Sequence, residues 1–380
     1  MKRTLITSLL ALVVSAAAFA QETPASPVIG DGIVTFSLYA PAAKEVTVHG
    51  SWMNYDDNCY GTPNWTKDIE VIKMKKDKAG VWSCSIPTPA PELWTYNFYV
   101  DGIYILDPAN KFVQWDGTRS LSVLLIEGDL TRDFVGATKH GNVEYVWYDS
   151  PTLGQERRMM VYTPHGYKDC NKPYPVLYLL HGGACDELTW DNMGRATAII
   201  DARIEKGEAE PMIVVMPNGN PSQNCARELL FPNDRDMELS SKSNAYIHSL
   251  ANDVIPYIED HYRVIPDKAH RAVSGLSMGG AHTLAVTAEY PELFDYICPM
   301  GCGGRETDEF IDGIKGIKEA GYKLYWHAAG TADFAHPSAV ILDKILTENG
   351  MEHTFYEKEG GHTWSNWRIF LDEMLPLLFK

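Results

Sequence analysis

Arg271-Ala-Val-Ser-Gly-Leu-Ser-Met-Gly-Gly280 is the stretch of the chain that decides the fold. Its first four residues read as a buried strand. Gly275-Leu276-Ser277-Met278-Gly279 follows, and a helix opens near Met278. A serine set between strand and helix, with glycine two residues before and two after, is the pattern of a strained turn that lifts one side chain above a sheet edge. Small neighbours relieve the crowding of the turn, and the helix behind it points its positive end at the serine. Ser277 is therefore expected to be a nucleophile.

The surrounding texture agrees with that turn. Pro175-Val-Leu-Tyr-Leu-Leu180 and Met212-Ile-Val-Val-Met-Pro217 are continuous apolar runs, read as buried strands, and residues 143–148 and 157–163 read as strands too. Helices are predicted at about 191–205, 243–261, 278–289 and 338–349. Apolar strands alternating with helices predict a mostly parallel sheet covered on both faces, an α/β-hydrolase fold over residues 143–380.

A serine alcohol is a weak nucleophile without a base. In this fold the partners follow in the order serine, aspartate, histidine, each on a loop after a later strand. Lys323-Leu-Tyr-Trp-His-Ala-Ala329 is a strand followed by Gly330-Thr-Ala-Asp333, and His353-Thr-Phe-Tyr-Glu357 is a strand followed by Gly360-Gly361-His362. His362 is the expected general base and Asp333 the group that orients it. Asp343 falls inside a predicted helix and Glu359 lies too close in sequence to reach behind the His362 ring. His327 and His336 are read as structural. No His-Glu-x-x-His spacing occurs, so no metal is expected, and no cofactor. His181-Gly182-Gly183-Ala184 follows a buried strand, where the oxyanion loop belongs, so the Gly183 and Met278 amides are the expected donors. Trp190 and Trp364 are candidate pocket walls, with core packing the other reading for each.

The N-terminal part differs. Residues 1–20 join a basic start (Lys2, Arg3) to an apolar run and the small-residue site Ala18-Phe19-Ala20, the pattern of a signal peptide. Export to the periplasm or medium is the expectation, with no membrane segment in the mature chain. Residues 21–127 are short alternating runs broken by turn residues, read as a small immunoglobulin-like β-sandwich. Trp52, Trp65, Trp82, Trp94 and Trp115 fall there, and exposed members of that set are suited to stack on sugar rings. Residues 128–142 read as a linker. The net charge of −17 makes nucleic acid an unfavourable partner, while a neutral polysaccharide or small ester is not repelled. Seven cysteines are too few for a disulfide scaffold, though Cys59 and Cys84 are near enough in sequence to pair.

Taken as a set, Leu180-His-Gly-Gly with Asp186, Glu187 and Trp190, Gly275-Leu-Ser-Met-Gly-Gly, Gly330-Thr-Ala-Asp333 and Gly361-His-Thr-Trp-Ser-Asn-Trp367 resemble the esterase D-like hydrolases of carbohydrate esterase family one. Phe36-Ser-Leu-Tyr-Ala-Pro-Ala42, Val46-Thr-Val-His-Gly-Ser-Trp52, Gly80-Val-Trp-Ser83 and Tyr96-Asn-Phe-Tyr-Val-Asp-Gly102 resemble a family 48 carbohydrate-binding module. The resemblance implies a feruloyl esterase acting on plant cell-wall arabinoxylan. An acetylxylan esterase, a siderophore esterase of the enterochelin type, and an inactive polysaccharide-binding protein are the alternatives. Ala184-Cys185 departs from the further glycine that relatives often carry, which puts the shape of the oxyanion loop in question.

Overall fold

A computed structural model describes residues 23–53, 72–115, 120–221 and 244–380. The expected signal peptide, Cys59, Trp65 and most of the loop at 218–236 lie outside the described residues.

The N-terminal part is two facing antiparallel sheets. One runs β1 (Val28–Gly30), β2 (Ile33–Tyr39), β6 (Val81–Pro87), β5 (Lys75–Lys76). The other runs β4 (Ile72–Lys73), β3 (Val46–Gly50), β7 (Glu92–Val100), β10 (Ser120–Ile126), β9 (Val113–Trp115), with β8 (Ile103–Ile105) beside β7. The period-2 reading holds on β2, where Val34, Phe36 and Leu38 are buried and their neighbours are not. Those three pack on Val46, Val48, Tyr96 and Phe98 from the opposite sheet.

Strand β10 buries apolar residues on both faces. Leu124 and Ile126 enter the sandwich core, while Leu121, Val123 and Leu125 pack with the core of the following domain. The sandwich therefore sits directly on the hydrolase. Between them, the stretch expected as a linker carries helix α1 (Asp129–Val135). Thr131 Oγ1 accepts from the Gly128 N–H at 2.8 Å, Phe134 is buried, and Asp133 pairs with Lys206 at 2.7 Å. Gly141 N–H donates to Asp201 at 2.9 Å. A charged, glycine-containing segment reads as a spacer in sequence, but here Asp133 and Gly141 are bonded to the hydrolase, while Asp129 and Arg132 pair with each other at the surface.

The hydrolase sheet has the order β11 (Asn142–Ser150), β12 (Gln155–Thr163), β14 (Ile213–Pro217), β13 (Val176–Leu180), β15 (Arg271–Leu276), β16 (Tyr296–Met300), β17 (Leu324–Gly330), β18 (Thr354–Lys358). All neighbours from β14 to β18 are parallel, and β11 and β12 are antiparallel. The central strands are buried along their whole length, as runs of Val, Leu and Ile require under two layers of helix.

The helix predicted at 191–205 is two, α2 (Thr189–Asn192) and α3 (Ala196–Glu205). It breaks at Gly194, packed on the Trp190 ring, and at Arg195, whose φ of 55° no continuing helix accepts. The segment predicted at 243–261 is α4 (Ala245–Ser249), a π-helical turn (Leu250–Val254) and α5 (Ile255–His261). Helix α6 (Met278–Glu289) starts at the predicted residue, α7 spans Asp308–Ala320, α8 spans His336–Glu348 and α9 spans Trp364–Met374. Among the described residues no helix is long and apolar enough to cross a membrane.

Candidate active site

Five adjacent parallel strands, β13, β15, β16, β17 and β18, end on one edge of the sheet. The loops leaving them carry, in that order, His181 to Ala184, Ser277, Gly301, Asp333 and His362. Sites in open α/β sheets form at this carboxyl edge.

Ser277 has φ 52° and ψ −111°, a backbone conformation that a non-glycine residue holds only when its surroundings impose it. A side chain on Gly275 would meet the Gly279 carbonyl carbon at 2.6 Å and Leu180 Cβ at 2.8 Å. Both ends of the turn must therefore be bare, which explains the spacing quoted above. The Ser277 N–H donates to the Met300 carbonyl at 2.8 Å, pinning the elbow to the end of β16.

His362 Nδ1 lies 2.9 Å from both carboxylate oxygens of Asp333, and both residues are buried. An Nδ1–H donating to that carboxylate leaves Nε2 with its lone pair, the tautomer a general base needs. The Phe334 ring lies against the imidazole at 4.3 Å, and Trp367 meets it edge-on at 4.9 Å. Asp333 also accepts from the Ala335 N–H at 2.7 Å, so its carboxylate is held from two sides.

Gly301, next to the Met300 carbonyl that accepts from Ser277, lies against this pair. Its φ is 55°, and a methyl group there would come within 3.2 Å of His362 Cε1 and 3.3 Å of Asp333 Oδ2. Sequence reading passed over it, although the run Met300-Gly-Cys-Gly-Gly304 after a strand was a visible signal.

On the other side of Ser277, a Cβ at Gly182 would lie 3.5 Å from Ser277 Cβ. His181 sets the neighbouring peptide. Its Nε2 accepts from the Gly219 N–H at 2.8 Å, so Nδ1 carries the proton and donates to the Gly182 carbonyl at 2.8 Å. Burial lowers the His181 pKa, which keeps the ring neutral for both contacts. In a trans peptide the Gly182 carbonyl and the Gly183 N–H point in opposite directions, so turning the carbonyl to His181 turns the Gly183 amide away from it. Gly183 is exposed, with nothing within 4 Å of where its side chain would be. The Met278 amide heads α6, where intrahelical acceptors are lacking. Ala184 adopts φ 58°, a conformation glycine accepts more readily.

The loop after β14 braces this side. Glu187 accepts from Arg158 at 2.9 Å and from Asn218 at 2.9 Å, and Arg157 donates to the Asn218 carbonyl at 2.9 Å. These charges are buried but each is hydrogen-bonded, the condition for keeping them inside.

For Trp190 and Trp364 the structure has the core reading rather than the pocket wall. Both are buried in the core, with rings edge to face at 5.5 Å, and Trp190 Nε1 donates to the Leu180 carbonyl at 2.8 Å. They support the loops from beneath; the aromatic open to solvent beside His362 is Phe334, 59% exposed. Of the sandwich tryptophans, Trp82 is core, with Nε1 bonded to the Ala40 carbonyl. Trp52 and Trp94 line a cleft of about 490 Å³ between the two domains, whose other wall includes Gly360 and Thr363 of the His362 loop. Cys84 is a free, half-buried thiol whose pKa burial pushes up to about 11.

Comparison with known proteins agrees with the resemblance drawn from the sequence. Residues 150–302 match the family model described as putative esterase, and residues 22–110 match carbohydrate-binding module 48, the isoamylase N-terminal domain. An endo-1,4-beta-xylanase/feruloyl esterase from Xylanibacter ruminicola is 30% identical over 323 residues, 81% of this chain and 41% of the relative. Endo-1,4-beta-xylanase Y from Acetivibrio thermocellus is 31% identical over 59% of this chain and 22% of its own length. The matched stretch thus spans less than half the length of these two relatives. Among solved structures, a CE1 ferulic acid esterase from Anaeromyces mucronatus, determined with ferulic acid, superposes with TM-score 0.52 at 25% identity. That match covers 64% of this chain and 92% of the other. An enterobactin esterase from Shigella flexneri has TM-score 0.65 at 15% identity over 93% and 94% of the two chains, a likeness of fold that takes in both domains.

Proposed function

We propose that the chain is an exported serine feruloyl esterase acting on feruloylated arabinoxylan. The observation that carries the reading is the Asp333–His362 pair, joined at 2.9 Å on loops beside the strained Ser277 elbow. In this reading His362 Nε2 takes the Ser277 hydroxyl proton as Oγ attacks the ester carbonyl. The Gly183 and Met278 amides hold the oxyanion, and the sugar hydroxyl leaves with the proton from His362. Water, activated by the same imidazole, then attacks the acyl-enzyme and releases ferulate. Phe334 is suited to lie against the aromatic acid, and Trp52 and Trp94 to carry the polysaccharide chain along the interdomain cleft. The xylanase/feruloyl esterase relative supports the substrate class, and the signal pattern at residues 1–20 supports export.

The test compares methyl ferulate, acetylated xylan and a trilactone siderophore as substrates for the wild-type protein and Ser277→Ala. Methyl ferulate is expected to be the best substrate, with kcat lowered by about 10⁴ or more in the variant. Preference for acetylated xylan or for the trilactone would replace the feruloyl reading. A variant retaining a tenth of the activity would remove Ser277 from its role.

A further inference from the structure

Three side chains far from Ser277 in the sheet converge behind strands β17 and β18. His327 projects from β17, Asp343 from α8, and His353 stands just before β18. One ligand atom of each lies within 4.8 Å of the other two.

The hydrogen bonding of His353 is the telling feature. Its Nδ1 is 2.9 Å from the Met351 carbonyl, so Nδ1 carries a proton and donates it. Its Nε2 is 2.9 Å from Asp343 Oδ1, a second acceptor. A neutral imidazole has one N–H for these two acceptors, and its Nε2 lone pair then faces a carboxylate oxygen. Either the ring is doubly protonated and ion-paired with Asp343, or a cation bound by both atoms takes the place of that proton. A backbone carbonyl fixing Nδ1–H while Nε2 points at a carboxylate is the arrangement that orients a metal-ligating histidine.

His327 supplies an independent observation. It is fully buried, and neither ring nitrogen has a hydrogen-bond partner. A polar ring in that state costs stability unless something satisfies it. Its ring stacks on Phe355 at 4.4 Å and lies 5.9 Å from that of His353.

We propose that His327, Asp343 and His353 form a structural site for a divalent transition ion, zinc being the best match to two imidazoles and one carboxylate. Bonds of roughly 2.0–2.2 Å place tetrahedral ligand atoms roughly 3.3 Å apart, so the His353–Asp343 pair, 2.9 Å apart, opens slightly while His327, within 4.8 Å of both, closes in. The Asp343 side chain is 41% exposed, which leaves a route for the ion and a place for water as fourth ligand. Binding displaces any proton shared by His353 and Asp343. The ion joins β17, α8 and the start of β18, whose continuations carry Asp333 and His362, without touching either residue.

The test uses the full-length protein stripped with a chelator and dialysed against zinc alone, with metal counted by mass spectrometry. Wild type is expected to retain one ion per chain and to melt at higher temperature with it. Asp343→Asn and His353→Gln are expected to retain none while keeping hydrolysis of a small ester. Cobalt in place of zinc is expected to give the intense visible absorption of a tetrahedral site in wild type only. Equal zinc content in wild type and both variants, or no ion retained by folded wild type, would overturn the proposal. If His353→Gln fails to fold, Asp343→Asn and the cobalt spectrum decide.

Discussion

Arg368 of α9 and Glu92 of β7 form a buried ion pair between the two domains, with Nη2 to Oε1 at 3.0 Å and side chains 2% and 5% exposed. The same guanidinium donates to the Leu93 carbonyl at 2.9 Å and the Met193 carbonyl at 2.7 Å. Helix α9 begins two residues after His362, so the sandwich is latched to the element that follows the candidate base.

Breaking that latch is expected to destabilise the whole chain. Arg368→Met leaves the Glu92 carboxylate buried without its partner, a loss of about 3–5 kcal/mol. Replacing both residues with apolar ones should recover much of it. Urea unfolding of the single and double variants checks this. Removing residues 21–127, which uncovers Leu121 and Leu125 partners on the hydrolase, should give insoluble or inactive protein on small and polymeric esters alike. A soluble truncated chain with full activity on methyl ferulate would refute this coupling.

Asp333 and Glu359 are both candidates to orient His362, and geometry separates them: the Asp333 carboxylate lies 2.9 Å from the ring. Asp333→Asn is expected to lower kcat by about 10⁴ by analogy with serine proteases, since an amide favours the wrong imidazole tautomer. Glu359→Gln, an exposed change, should leave kcat within about twofold. Kinetics in the reverse order would place Glu359 behind the ring.

Gly301 allows the Asp333–His362 pair to sit where it does. Gly301→Ala adds both an unfavourable φ and a methyl group at 3.2 Å from the imidazole. The expected result is kcat lowered about 10²-fold, as for other displacements of roughly an ångström, with the fold retained. Wild-type kcat in a folded variant would show that the pair tolerates the shift.

His282 makes stability depend on pH. It packs on Tyr246 at 4.8 Å, and burial, with His181 nearby, pushes it down to about 4 from an ordinary 6.5. Between those values the unfolded chain takes up a proton that the folded chain refuses, so stability falls as pH drops from about 6.5 toward 4. His282→Gln is expected to flatten that part of a plot of urea midpoint against pH. An unchanged slope would assign the acid sensitivity to other groups.

The local structure of this chain is legible in its sequence. The elbow at 275–279, its helix starting at Met278 and the strands ending before Asp333 and His362 follow from periodicity and glycine placement, because sterics within a few residues dictate them. Tertiary packing decided the rest. Nothing local to Trp190 and Trp364 distinguishes a pocket wall from a core, and contact between two distant segments buried them together. The connector's helix α1 is anchored by Asp133 to Lys206 just past α3 and by buried Phe134, and β10 carries leucines on both faces because a second domain covers it. His327, His353 and Asp343 are unremarkable in sequence, since strand, helix and strand approach one another only when the sheet is assembled. Residue type and spacing set which chemistry each loop can perform; long-range burial, which depends on surfaces far apart in the chain, set which side chains meet.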